Sequence, residues 1–182
     1  MKIGIVSDTH GSMKRWRDGW VVLQGTDIII HCGDIFNHGS GNPLPEGYAP
    51  KELAVELNDL PVPFHVVRGN CDSDVDQLVL RYPLSSPYLF CRFDDISIAA
   101  THGHLYDDER WAVLAARWKV SLLLSGHTHR SRIEKKDDVI FVNPGSPSLP
   151  RDFPSVAVLD TRLRTVTIFD IINYSVFLSV PF

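Results

Sequence analysis

Six short apolar runs, each ending abruptly in a glycine-bearing polar cluster, constrain this 182-residue chain more than any other feature. Ile3–Val6, broken only by Gly4, leads into Ser7-Asp8-Thr9-His10-Gly11, and Ile28-Ile29-Ile30 leads through His31-Cys32 into Gly33-Asp34. Phe64–Val67 runs into Arg68-Gly69-Asn70-Cys71-Asp72, and Ile98–Ala100 into Thr101-His102-Gly103-His104. Leu122–Leu124 runs into Ser125-Gly126-His127-Thr128-His129, and Phe141-Val142 into Asn143-Pro144-Gly145-Ser146. A run with no polar alternation predicts a strand covered on both faces, the condition of a parallel sheet. Open α/β sheets bind ligands in the crevice outside the carboxyl ends of their strands. The clusters are therefore expected to converge on one site.

Helical stripes separate the runs. Met13, Trp16, Trp20 and Leu23 share one helical face, and Pro50 opens a second helix ahead of Leu53, Ala54 and Leu57. Trp111, Leu114, Ala115 and Trp118 make a third stripe. Its first turn is acidic (Asp107, Asp108, Glu109) and its last basic (Arg117, Lys119), as the helix dipole favours. The aromatic stripes read as core. The second half is strand-rich, with turns expected at Lys135–Asp138 and Asp160–Arg164. Strand–helix alternation followed by hairpins predicts an α/β chain with two sheets and helices on the outer faces. The apolar tail Ile171–Phe182 is expected to be an edge strand, covered by packing or by a second copy of the chain in a homo-oligomer. Length and the absence of a linker predict one domain over residues 1–182.

Composition excludes several classes. Hydrophobic residues make up 44% and charged residues 22%, which is not a disordered chain. A net charge of −4 argues against holding nucleic acid by bulk charge. No apolar run approaches the ~18 residues of a membrane span, and no signal-length run precedes Asp8, so a cytoplasmic protein is expected. Three cysteines, Cys32, Cys71 and Cys91, form no CxxC pair, which argues against a structural zinc site.

The residue types at the strand ends point to metal chemistry. Asp8, His10, Asp34, Asn70, His102, His127 and His129 offer carboxylate, amide and imidazole ligands, and five of the eight histidines lie in the clusters. A mixed oxygen and nitrogen set suits Mn²⁺, Fe²⁺, Co²⁺ or Zn²⁺. Seven ligands exceed what one ion uses, so two ions are expected, held ~3.5–4 Å apart if they share a carboxylate. His31 and His65 sit inside predicted strands and read as structural, as do Cys32 and Cys91.

Taken in order, D-x-H, G-D, G-N-x-D, H-G-H and G-H-T-H resemble the calcineurin-like metallophosphoesterase superfamily. The motifs span residues 8–129, and Asn143–Ser146 extends the likeness. Asn37-His38-Gly39, Leu44–Pro50 and Arg68–Ser73 are more narrowly similar to the small bacterial YfcE-type phosphodiesterases. The resemblance implies a four-layer α/β/β/α sandwich of two mixed sheets. It also implies two divalent ions, Mn²⁺ first and otherwise Zn²⁺, Fe²⁺, Ni²⁺ or Co²⁺. Asp8, His10 and His129 would hold one ion, Asn70, His102 and His127 the other, and Asp34 would bridge. A bridging hydroxide would attack a small phosphodiester. Phosphomonoesterase or nucleotide pyrophosphatase activity on the same core is the alternative. A non-catalytic scaffold, like the retromer subunit of this fold, is a further one.

The sequence departs from the family where many members carry histidine after the motif asparagine, to protonate the leaving group, and an aspartate to orient it. Here Cys71 and Asp72 follow Asn70. A thiol is a mediocre general acid, so His104, or else His38, is a candidate replacement. Arg68 is a candidate phosphate contact, and the Gly- and Pro-rich stretch Phe36–Pro50 a candidate substrate-selecting loop.

Overall fold

The computed structural model describes residues 1–182. The first half contains β1 (Lys2–Val6), α1 (Met13–Leu23), β2 (Ile28–His31), α2 (Pro50–Asn58), β3 (Phe64–Val67), α3 (Asp74–Val79) and β4 (Leu84–Ser85). Then come β5 (Leu89–Phe93), β6 (Ile96–Ala100), α4 (Asp108–Trp118), β7 (Leu122–Leu124), β8 (Ser131–Lys136) and β9 (Val139–Pro144). The chain closes with β10 (Ser155–Asp160), β11 (Thr165–Asp170) and β12 (Ser175–Pro181).

The strands form two mixed sheets, ordered β12-β11-β10-β1-β2-β3-β4 and β5-β6-β7-β9-β8. The centre of each is parallel: β1, β2 and β3 in the first, β6, β7 and β9 in the second. The Ile28-Ile29-Ile30 run shows why such strands need no polar face. Ile28 and Ile30 point between the sheets with Ile3 and Ile5, and meet Ile98, Leu122, Leu124 and Val142 of the facing sheet. Ile29 points the other way, with Phe64 and Val66, onto Trp16 and Leu23 of α1 and Leu53 and Leu57 of α2. On the opposite outer face, Ala99, Leu123 and Phe141 pack on Trp111 and Ala115 of α4. The result is the expected α/β/β/α sandwich. Both parallel cores deliver their carboxyl ends to the polar clusters.

Local chemistry sets the helix boundaries. The Ser12 hydroxyl caps α1 by accepting from the Arg15 N–H at 3.2 Å, Pro50 opens α2, and the Asp107 carboxylate caps α4 through the Arg110 N–H at 2.8 Å. α3, β4 and β8 carry no periodic signal. α3 buries none of its residues, and β8 is a half-exposed edge strand of sequence SRIEKK. β12 is the edge strand anticipated for the tail, but Val176 and Phe177 remain well exposed. No helix is long and apolar enough to cross a membrane.

Leu122 is fully buried between the sheets. Leu122→Ala leaves a cavity at the centre of the core and should cost ~2–5 kcal/mol in urea unfolding. A loss well under 1 kcal/mol would show that the two sheets do not share one packed interior.

Candidate metal centre

Backbone strain marks the site before any side chain is considered. Ten non-glycine residues have positive φ. Asp94, Asp137, Arg164 and Tyr174 turn hairpins and Lys119 caps α4, ordinary uses of the left-handed region. The other five are Asp8, His10, Asp34, His127 and His129, with φ between 45° and 68°. All five are candidate ligands. Such conformations persist where surrounding contacts over-determine them, and they cluster at functional sites.

The contacts that hold them are specific. Asp8 and Asp34 are buried, and each divides its carboxylate between two tasks. Asp8 Oδ2 accepts the His127 N–H at 3.0 Å, and Asp34 Oδ1 accepts the Cys71 N–H at 2.8 Å. Their other oxygens face imidazoles. Asp8 Oδ1 lies 3.2 Å from His129 Nε2, 3.7 Å from His10 Nε2 and 4.0 Å from His102 Nε2. Asp34 Oδ2 lies 3.4 Å from His102 Nε2 and 3.9 Å from His10 Nε2. Gly69 and Gly126 admit these approaches: a Cβ on Gly69 would collide with Asp34, and one on Gly126 with Ser7 and Asp8.

Three histidines are locked in one tautomer. Nδ1 of His10 donates to the Asn37 carbonyl at 2.8 Å, that of His102 to Cys32 at 2.8 Å, and that of His129 to Leu149 at 2.6 Å. A carbonyl only accepts, so the proton of each neutral ring sits on Nδ1 and the Nε2 lone pair faces the centre. His10 Nε2 and His129 Nε2 are 3.2 Å apart, and Asp8 Oδ1 is buried without a hydrogen-bond partner. Lone pairs converging on lone pairs and on a carboxylate oxygen require a cation or bound protons between them. Burial opposes charge on His102, but its contact with Asp34 and the Asp8 charge raise it to about 9. His129 is raised in the same way through Asp8, against its burial. A divalent cation supplies the same compensation by displacing those protons. Asp8, His10 and His129 form one group fit to hold an ion, and Asp8, Asp34 and His102 form another.

Asn70 and His127 lie beside the second group. Asn70 Oδ1 is 3.1 Å from His102 Nε2, and the His127 ring is centred 5.2 Å from that of His102. His104 is exposed, with its ring 5.3 Å from His102 and 6.0 Å from His127. Cys71 lies at the centre, its Sγ grouping with potential ligand atoms of His10 and Asp34. Burial and Asp34 push its pKa up to about 12.

Three candidates are engaged elsewhere. The Asp72 carboxylate accepts backbone N–H groups from Asp34 at 2.8 Å, Ile35 at 2.8 Å and Gly69 at 2.7 Å. It joins two ligand loops instead of orienting a proton donor, and burial raises it to about 6 despite those donors. The Arg68 guanidinium pairs with Asp74 at 2.9 Å and donates to the Asp72 carbonyl at 3.1 Å. His38 packs edge-on against Tyr48 with its ring centroid 5.5 Å away.

A cleft of about 340 Å³ opens onto Asp34, Asn70, Cys71, His127 and His129. Asn42, Thr128 and Arg151 complete its lining, and none of the three was singled out as a site residue from the sequence. Asn42 belongs to the loop expected to select substrate. Arg151 carries no local signal, because the fold alone brings it to the cleft.

Residues 1–164 match the family model described as the calcineurin-like phosphoesterase superfamily domain. The chain is 37% identical over 170 residues to phosphodiesterase YfcE of Escherichia coli K12, covering 91% of each chain. The solved structure of YfcE, a phosphoesterase from E. coli, superposes with a TM-score of 0.85 at 31% identity, covering 99% of this chain and 98% of that one. A zinc complex of Vps29 from Entamoeba histolytica shares the fold, with a TM-score of 0.69, 20% identity and coverage of 99% and 98%.

The scaffold has a direct test. Asp72→Ala strands three backbone N–H groups and should cost at least ~2–3 kcal/mol in denaturant unfolding, with weaker metal retention on dialysis. Cys71→Ser should change stability by less than ~1 kcal/mol. Equal effects of the two substitutions would remove the stapling role from Asp72.

Proposed function

The chain belongs to the calcineurin-like phosphoesterase superfamily, and on that premise we propose that this phosphoester hydrolase acts on small phosphodiesters with two divalent ions, manganese foremost. Asp8, His10 and His129 would hold one ion, Asn70, His102 and His127 the other, and Asp34 would serve both. The observation that carries this reading is the convergence of Nε2 lone pairs and unpaired Asp8 Oδ1 on one small volume. Divalent ions held by these residues would lower the pKa of bound water towards neutrality and offset the charge on phosphoryl oxygens. The diester preference follows the likeness to YfcE.

The chain's own residues then set what else happens. Backbone N–H groups of Cys71 and His127 fix the two carboxylates, so ligand positions are formed before substrate arrives. Leaving-group protonation is the weak element. A thiol held near 12 is far from the pKa that suits a general acid at neutral pH. His104, exposed with its ring beside those of His102 and His127, is the candidate imidazole for that task. His38 is turned towards Tyr48.

The test is hydrolysis of bis(p-nitrophenyl) phosphate and p-nitrophenyl phosphate by protein stripped of metal and resupplied with Mn²⁺, Zn²⁺, Ni²⁺ or Mg²⁺. The diester should be preferred, Mn²⁺ should activate, and elemental analysis at saturation should give two ions per chain. Asp34→Asn should reduce the rate by orders of magnitude. Faster monoester hydrolysis would replace the diester reading, and full activity with one ion would replace the dinuclear one.

Leaving-group dependence gives a second test. Aryl diesters, whose phenolate departs unaided, should far outpace alkyl diesters. Cys71→Ser should leave that contrast in place, and His104→Ala should depress only the substrates with poor leaving groups. A large loss on aryl substrates with Cys71→Ser, at unchanged metal content, would make the thiol itself part of the chemistry.

A further inference from the structure

The main cleft does not end at the candidate ligands. A second cleft of about 230 Å³ adjoins it, walled by Gly41–Pro43 on one side and Leu149–Arg151 on the other. Asn42, His129 and Arg151 line both, so the two form one groove that leads away from the metal centre past Arg151. The wall carrying Arg151 is tied to the centre: the Arg151 N–H donates to the His129 carbonyl at 3.0 Å, and Leu149 accepts from His129 Nδ1.

Neighbouring arginines are neutralised, Arg68 by Asp74 and Arg130 by Asp152 at 3.6 Å. Arg151 has no ion-pair partner, although it lies in a protein of net charge −4. Thr128 adds to the donors: its oxygen accepts from Asn143 and from the Arg130 N–H, which leaves its O–H free to donate. The Asn42 amide nitrogen gives one of its two hydrogens to the His38 carbonyl at 2.9 Å. A guanidinium and a hydroxyl donor at a groove leading away from the phosphoryl site fit a negatively charged group there, because guanidinium binds phosphate or carboxylate through paired hydrogen bonds.

We infer that this groove is the subsite for the ester substituent and that Arg151 selects substrates whose substituent carries a second anionic group, a phosphate or a carboxylate. The inference rests on the phosphodiesterase reading and names the substrate class of that same site. Arg151 takes the substrate-recognition role that the sequence suggested for Arg68.

Two chromogenic diesters differ only in that second charge: thymidine 5′-(p-nitrophenyl phosphate) and its 3′-phosphorylated form. In both, water adds to phosphorus, the P–O bond to the aryl group breaks and p-nitrophenolate leaves. The wild-type enzyme should favour the 3′-phosphorylated ester by about tenfold or more in kcat/KM, mainly through KM, the size expected of one charge-assisted contact. Arg151→Gln should erase the preference, lowering kcat/KM for the 3′-phosphorylated ester by about tenfold more than for the ester with a free 3′-hydroxyl. Arg151→Lys should restore much of it, and Arg130→Gln should keep it. Calorimetric titration with thymidine 3′,5′-bisphosphate against thymidine 5′-monophosphate should give the same order without turnover. No preference in the wild-type enzyme, a preference that survives Arg151→Gln, or an equal loss on both esters would overturn the inference. The last outcome would place Arg151 on the scissile phosphate. If neither ester is hydrolysed but calorimetry shows the Arg151-dependent preference, the phosphodiesterase reading fails and the anionic subsite stands.

Discussion

Asp8 and Asp34 bury two negative charges within reach of the same imidazoles, and much of the local architecture serves to make that tolerable. An unpaired buried carboxylate is expensive, so each gives one oxygen to a backbone N–H of a neighbouring loop and turns the other inward. That division fixes the loops as much as the carboxylates. The His127 N–H reaches Asp8 only because Gly126 lacks a Cβ, and the Cys71 N–H reaches Asp34 only because Gly69 does. The Asp8 carbonyl is held in turn by the hydroxyls of Ser146 at 2.7 Å and Ser148 at 2.9 Å. The left-handed backbone at five candidate ligand positions is sustained by this web of contacts. A site built in this way is rigid before it binds anything, which is what electrostatic stabilisation of a charged transition state requires.

The sandwich was legible in the chain because burial on both faces leaves a direct mark: Ile28, Ile29 and Ile30 cannot all be hidden in a sheet with one wet face. The same reasoning is blind to β8 and α3, whose residues sit half in water and follow no apolar period. The convergence of aspartate, asparagine and histidine was legible because these residues stand immediately after buried strands. Roles that depend on where a long side chain turns were not. Arg68 precedes Gly69 and Asn70 in sequence, yet its guanidinium swings to Asp74. Asp72 stands where an orienting carboxylate is expected, yet three backbone N–H groups claim it. Arg151 lies just beyond the Asn143–Ser146 cluster, outside any motif, and reaches the cleft through hydrogen bonds between the segment Leu149–Arg151 and His129. No local pattern encodes that contact.

Cys71 connects the chemistry of the centre to the shape of the groove. The loop after Phe36 packs onto this residue so closely that a Cβ on Gly39 would come within 2.9 Å of Sγ. The same loop supplies Asn37, whose carbonyl fixes the His10 ring, and Asn42, which lines both clefts. An imidazole at position 71 is larger than a thiol, and the space between this position and Gly39 already lacks room for a methyl group. A small residue at 71 therefore suits the close approach of this loop, and a thiol there is a mediocre proton donor. The packing of the loop on position 71 and the choice of proton donor there are thus coupled through the same few ångströms.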